Sequence, residues 1–322
     1  MMERNIAPLE FEEQLYKIED KITELRTLSE ESGMDLDAQI ETLTKQALEF
    51  KEELYANLKP SQKLQIARHP MRPNFLDYTT LLCDDFIELH GDRAGTDDRA
   101  IIGGVCTIGD RPVMLIGTQK GKNTKENLIY NFGMPQPEGY RKALRLMYHA
   151  ERFGLPIVTL IDTPGAYPGI KAEETGQGIA IAENLAEMAK LTVPIIAIIT
   201  GEGCSGGALG LAVSNKVYML EHAYYTVISP EGCASILYRS ADRAADAADA
   251  LKITAKDLMK FNIVDGDIKE PLGGAHYDHE LTAKNLSDTV IASLDELSKK
   301  SGEELKKERY EKFRQMGVVQ EL

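Results

Sequence analysis

The 322-residue sequence predicts an α/β chain, a largely parallel sheet covered by helices and preceded by an α-helical hairpin. Three observations carry this reading. From about residue 100, short β-branched apolar runs alternate with stretches of helical period. The first 57 residues instead repeat apolar side chains every three or four positions. The glycine-rich segments follow the apolar runs, where α/β folds place their functional loops.

In the first segment, Phe11, Leu15, Ile18, Ile22, Leu25 and Leu28 form one stripe. Leu36, Ile40, Leu43, Ala47, Phe50 and Leu54 form a second. Both are close to a coiled-coil seam. Gly33 can stop the first helix, and Asp35 or Asp37 can start the next. An antiparallel hairpin serving packing or oligomerisation is therefore expected. The segment holds 15 acidic and 6 basic side chains, so it carries most of the chain's net charge of −14. It ends at Lys59-Pro60, giving an N-terminal unit over 1–59 and a second domain with C-terminal helices over 60–322. RHPMRPNF (68–75) is a proline-punctuated connector.

Farther along, residues 111–119, 156–162, 193–200 and 216–221 read as buried strands. Residues 137–154, 171–191 and 205–215 read as helices between them. Strand, loop and helix in repetition imply right-handed crossovers.

Composition narrows the function. With 43% hydrophobic and 27% charged residues the chain is ordinary globular protein, long enough for a sizeable core. Its acidity disfavours nucleic acid and anionic membranes. No apolar run reaches the roughly 20 residues of a membrane helix. The start, MMERNIAPLEFEEQ, lacks a signal-peptide stretch, so a cytoplasmic location is expected. The cysteines, at 83, 106, 204 and 233, form no CxxC pair, so no cysteine-bound metal is expected.

Three familiar motifs nearly fit. Gly201, Gly203 and Gly206 have the GxGxxG spacing of a dinucleotide loop, with Glu221 downstream, but they open only a short helix. Gly203-Cys204-Ser205-Gly206-Gly207 is GxSxG, and Asp265 and His276 follow in α/β-hydrolase order. A serine hydrolase is thus the alternative reading, although no HGGG-type oxyanion motif lies upstream. DTPG (162–165) resembles a GTPase switch, but GTQKGKNT (117–124) is one residue short of a phosphate loop, which argues against nucleotide hydrolysis.

What glycines offer without a nucleophile is backbone. Gly206-Gly207 follow an apolar run and start a helix, whose first amides have no internal partner. The local dipole favours negative charge there. Two such N–H groups aimed at one point make an oxyanion hole. DTPGAYPG (162–169) is a second bend with exposed amides.

Taken together, RHP (68–70), GDR (91–93), IGG (102–104), NFGMPQPEGYRKALRLM (131–147), IDTPGAYPGI (161–170), GEGCSGGALG (201–210) and ISPEGCASIL (228–237) closely resemble the carboxyltransferase α subunits of bacterial acetyl-coenzyme A carboxylases. The resemblance spans nearly the whole chain. It implies a crotonase-like fold, a spiral of ββα units. It implies an α2β2 complex with a β subunit, working with biotin carboxylase and a biotin carboxyl carrier protein. The implied reaction moves a carboxyl group from carboxybiotin to acetyl-CoA, giving malonyl-CoA for fatty-acid synthesis. The implied cofactor is biotin on the carrier, with zinc on the β subunit and no metal on this chain. The amides of Gly206 and Gly207 would hold the biotin ureido oxygen, with Gly165 and Ala166 lining the same cleft.

Ser205 is then a loop residue. Lys120, Lys122, Lys125, Arg141, Lys142 and Arg145 form a basic stretch that can face a CoA phosphate or present a solvated helix face. Cys204 departs from the family's glycine, which would cost strain at a positive φ. Thr175, Gly178 and Ile179 replace an arginine and a Ser-Glu pair of the family pattern, and so put in doubt any polar contact made there.

Overall fold

The computed structural model describes residues 8–317. The leader reading and the outer ends of both expected units therefore lie partly outside the described residues. Among the described residues, no helix is long and apolar enough to cross a membrane.

Helices α1 (Glu13–Ser32) and α2 (Asp37–Ala56) form the expected hairpin. Gly33 closes α1 at φ 69°, its N–H donating to the Ser29 carbonyl. Leu15, Ile22 and Ala47 are buried between the helices, with Ile18, Ile40, Leu43 and Phe50 packed on them. The hairpin docks on the rest of the chain through aromatic side chains. Tyr55 donates to buried Glu12 and its ring lies 6.0 Å from that of His222, while the Lys51 ammonium sits 3.7 Å over the Tyr277 ring.

The main body runs α3 (Pro60–Ala67), α4 (Phe75–Leu82), β1 (Cys83–Glu88), β2 (Ile101–Ile108), β3 (Arg111–Thr118), α5 (Thr124–Ile129), α6 (Pro137–Phe153) and β4 (Ile157–Thr163). It continues through α7 (Ile170–Glu174), α8 (Gln177–Met188), β5 (Ile195–Cys204), α9 (Ser205–Leu209), β6 (Lys216–Leu220) and β7 (Tyr224–Thr226). It closes with α10 (Pro230–Tyr238), α11 (Ala244–Leu251), α12 (Ala255–Lys260), β8 (Gly266–Ile268), α13 (His279–Leu297) and α14 (Gly302–Arg314).

One sheet orders the strands β1-β2-β3-β4-β5-β6-β8, with β7 beside the end of β5. The pairs β1/β2 and β2/β3 are antiparallel, and the rest are parallel. All ten residues of β5 are buried, as expected for a central strand covered on both faces.

Three expected boundaries move. The strand expected over 193–200 runs on to Cys204, because Glu202, Gly203 and Cys204 pair with β7 after β6 has left the β5 edge. The helix expected over 171–191 is two, broken at Gly176 with φ 89°. The helix expected over 205–215 stops at Leu209, where the Leu211 N–H turns back to the Ala208 carbonyl. Helix α6 keeps its expected span, with Pro137 in its first turn and Gly154 at φ 66° closing it. Its apolar face buries Tyr140, Ala143, Leu146, Met147 and Ala150 against the sheet.

Candidate active site

The site grows from the neighbouring parallel strands β4 and β5, whose C-terminal ends carry the two glycine-rich segments. The chain leaves β4 at Thr163 through a bend over 164–166 and leaves β5 directly into α9. These two exits touch. A Cβ on Gly207 would stand 2.3 Å from the Ala166 nitrogen and 2.5 Å from the Gly165 carbonyl carbon. Gly207 is thus glycine because backbone approaches backbone. Gly165, at φ 138°, occupies a conformation open mainly to glycine.

Gly206 differs. A Cβ there would meet only Ile181, at 3.8 Å. Gly206 is half-buried and lines a cleft of about 900 Å³ with Ser205, Leu209, Tyr225, Thr226, Leu258 and Phe313. The lining is mostly apolar, so a donor at its edge acts with little competition from water. Helix α9 begins at Ser205, so the Gly206 and Gly207 N–H groups belong to its first turn and have no acceptor within the helix.

At the ends of β4 and β5 a half-buried ion cluster lines a second cleft. Lys120 bridges Asp162 at 2.6 Å and Glu202, tying the ends of β4 and β5. Asp162 Oδ1 also accepts the Glu202 N–H at 2.8 Å. Arg68 donates to Glu202 at 2.7 Å, and the Tyr224 hydroxyl donates to the same carboxylate. Burial alone would raise the Glu202 carboxyl, but Lys120 and Arg68 outweigh it and hold it at about 2. Burial would likewise lower the Lys120 ammonium, and Asp162 and Glu202 raise it instead. A second buried pair, Arg72 with Glu270, holds the Glu270 carboxyl at about 2 against the burial that would raise it.

The alternative readings of the glycine-rich loop fail against this geometry. Gly201 and Gly203 are strand residues, packed against Asp162 and against Ile199 and Tyr225, so no dinucleotide loop exists here. The serine triad is not assembled. Asp265 pairs with Lys312 and accepts the Val217 N–H, while His276 stacks on His69 at 3.9 Å. Cys204 has φ −117°, so its side chain costs no backbone strain. The positive φ, 59°, falls on Ser205, which is exposed. Burial pushes the Cys204 thiol up to about 11, leaving it a poor nucleophile.

The basic stretch is not one patch. Lys142 is buried, bound to Asp97 and the Asp98 carbonyl. Lys120 belongs to the ion cluster, and Lys122 pairs with Asp77 at 2.6 Å. Arg141 donates to the Thr175 carbonyl, and Arg145 to the carbonyls of Leu89, His90 and Gly91. Lys125 is exposed. Thr175 closes α7, whereas Gly178 and Ile179 lie exposed on α8. Among the described residues, no cluster of three or more His, Cys, Asp or Glu can hold a metal ion.

Sequence reasoning passed over Tyr140, Asp162 and Glu202. Tyr140, wholly buried in α6, donates its hydroxyl to the Gly207 carbonyl at 3.0 Å. A tyrosine among apolar residues of an amphipathic helix gives no sign of where its hydroxyl points.

Comparison with known proteins agrees along the chain. Residues 8–317 match the family described as acetyl co-enzyme A carboxylase carboxyltransferase-like. The chain is 53% identical over 313 residues to the acetyl-coenzyme A carboxylase carboxyl transferase subunit alpha of Synechococcus elongatus, covering 97% of this chain and 96% of that protein. The counterpart from Prochlorococcus marinus (strain NATL1A) is 55% identical over 309 residues, covering 96% and 94%. Among solved structures, the transcarboxylase 12S hexamer with methylmalonyl-coenzyme A aligns with a TM-score of 0.59 at 18% identity. That alignment covers 74% of this chain and 45% of the transcarboxylase chain. A Pseudomonas malonate decarboxylase hetero-tetramer in complex with coenzyme A aligns with a TM-score of 0.56 at 15% identity, covering 69% and 87%.

Proposed function

The chain belongs to the acetyl-coenzyme A carboxylase carboxyltransferase α family, with a crotonase-like fold, and from that premise we propose how its own residues serve the reaction. The activity is carboxyl transfer in a biotin-dependent system, giving malonyl-CoA from acetyl-CoA for fatty-acid synthesis. The enzyme works as a complex with a β subunit.

The finer reading is ours. The biotin is carried on a separate biotin carboxyl carrier protein charged by biotin carboxylase, and the complex is α2β2. The work takes place in the cytoplasm. The hairpin over 1–59 is a unit apart from the transferase domain over 60–322.

The cleft beside Gly206 fits a biotin ring. Its walls are mostly apolar, Gly206 stands in its lining, and buried Gly207 follows in the same helix start. Biotin bound there would supply the carboxyl group, and its ureido oxygen would be the charge the turn has to hold. Gly206 and Gly207 donate their N–H groups to that charge, fixed in place before the reaction begins. Gly165 and Ala166 back the turn and keep water from its rear. No side-chain nucleophile is used. Ser205 has no assembled base, and the Cys204 thiol stays protonated near neutral pH. The matching donors for the thioester oxygen come from the β subunit.

The observation that carries this reading is the contact of Gly207 with the 165–166 backbone, which a Cβ would abolish. The test is to purify the chain with and without its β subunit and assay malonyl-CoA formation. The reading expects the isolated chain to be nearly inactive and the complex active. Full activity of the isolated chain would overturn it.

A further inference from the structure

The structure assigns Tyr140 as a positioning residue for carboxyl transfer, its buried hydroxyl holding the Gly207 peptide so that the turn presents its amides in register. This assignment rests on the role proposed for Gly206 and Gly207.

The need for such a group follows from glycine itself. Without a Cβ, Gly207 has wide torsional freedom, and its peptide planes stay where their hydrogen bonds hold them. The Gly206 carbonyl is taken by the Gly210 N–H at 2.9 Å. The Gly207 carbonyl has no such helical partner, because the Leu211 N–H bonds the Ala208 carbonyl instead at 3.1 Å. A buried carbonyl left in that state is costly. The Tyr140 hydroxyl fills the vacancy. Holding the carbonyl on one side of the Gly207 Cα restricts the N–H on the other.

The tyrosine is itself well anchored. Its ring is wholly buried and rests against the backbone of Gly210, where a Cβ would come within 3.0 Å of a ring carbon. The start of α6 is pinned by Asp98, which accepts the Gln136 N–H at 2.8 Å. Gly139 leaves room for that carboxylate, since a Cβ there would stand 2.4 Å from Asp98 Oδ2. Asn184 holds the far end of the turn through the Gly210 carbonyl at 3.1 Å. The turn is therefore gripped from two helices, and of these contacts the Tyr140 hydroxyl alone bonds a glycine of the proposed oxyanion pair.

The test uses Tyr140→Phe and Gly210→Ala in the assembled complex with its β subunit. Tyr140→Phe deletes one hydroxyl and keeps the ring. Gly210→Ala keeps the hydroxyl and pushes the ring. Misplacing a reacting geometry by 1 Å costs up to about 100-fold, so each variant is expected to lower kcat for malonyl-CoA formation by about tenfold. The KM for acetyl-CoA should stay within about twofold, because uniform substrate binding is untouched. Gel filtration should show an unchanged complex. If Tyr140→Phe melts at a lower temperature yet keeps its wild-type kcat, the hydroxyl serves stability alone and the assignment fails. Gly207→Ala in the same assay separates the two readings. An impaired Gly207→Ala beside a normal Tyr140→Phe defeats only the positioning role, whereas a normal Gly207→Ala defeats the amide role and this one with it.

Discussion

Gly207→Ala is the sharpest perturbation the structure offers. The added methyl would lie 2.3 Å from the Ala166 nitrogen, whereas ordinary contact begins at 3.4 Å. The two backbones must therefore part by the difference, 1.1 Å. Neither partner is the free end of a flexible side chain, so the turn or the bend has to move. Loss of one oxyanion donor costs about 10²–10³ in kcat. A 1 Å misplacement of a reacting geometry costs up to about 10². The two estimates meet at a loss of about 100-fold. Gly206→Ala is the matched control, since its methyl meets only Ile181 at 3.8 Å and it starts a helix. It should fold and assemble normally, and removing the glycine's unfolded-state entropy should stabilise it by about 0.4–1 kcal/mol. The assay is kcat for malonyl-CoA formation by each α variant assembled with the same β subunit, with assembly checked by gel filtration. Intact Gly207→Ala complex turning over within about threefold of wild type would refute the reasoning, because a 1 Å shift at two essential donors cannot be silent.

Other outcomes follow from the same geometry. Lys120→Met leaves half-buried Asp162 without its cation, while Glu202 keeps Arg68 and the Tyr224 hydroxyl, and should destabilise the chain by about 1–3 kcal/mol in urea unfolding. Glu202 and Glu270 have folded values of about 2, held there by Lys120 with Arg68 and by Arg72 against the opposing effect of burial. Their contribution is complete above the unfolded value of about 4.3 and is lost as pH falls through 4 toward 2. Melting temperature should therefore drop steeply across that window, and Glu202→Gln should flatten the drop. Ser205→Ala should retain carboxyl transfer and the wild-type chain should resist fluorophosphonate labelling, since neither Asp265 nor His276 is bound to Ser205. A labelled Ser205 seen by mass spectrometry would revive the hydrolase reading.

Strands β3 to β6 were legible because a strand buried on both faces must be apolar along its length. Helix α6 was legible from its period and its Pro137 and Gly154 ends. The hairpin was legible for the same reason, its two stripes having only each other to cover them. The end of β5 was not legible. Gly-Glu-Gly-Cys reads as a loop, and only pairing with β7, some twenty residues downstream, makes it strand. Gly176 reads in the sequence as one residue of a helix, yet at φ 89° it divides α7 from α8. At the site, the adjacent glycines could be singled out because a helix start after a buried strand exposes amides. Their support could not. Lys142 and Lys120 look like surface charges in the sequence and are ion-pair partners in the fold, the first buried and the second half-buried. Tyr140 looks like core and carries a directed hydroxyl. Tertiary hydrogen bonds of this kind leave no local pattern.

The central claim concerns where an anion is held. A crystal structure of the αβ complex with a biotin derivative measures it directly. The account predicts the ureido oxygen about 2.7–3.1 Å from the Gly206 and Gly207 nitrogens, with the ring in the cleft lined by Leu209, Tyr225 and Phe313. A ring seated instead in the other cleft, beside Arg68 and Lys122, with its oxygen held by side chains, would contradict it.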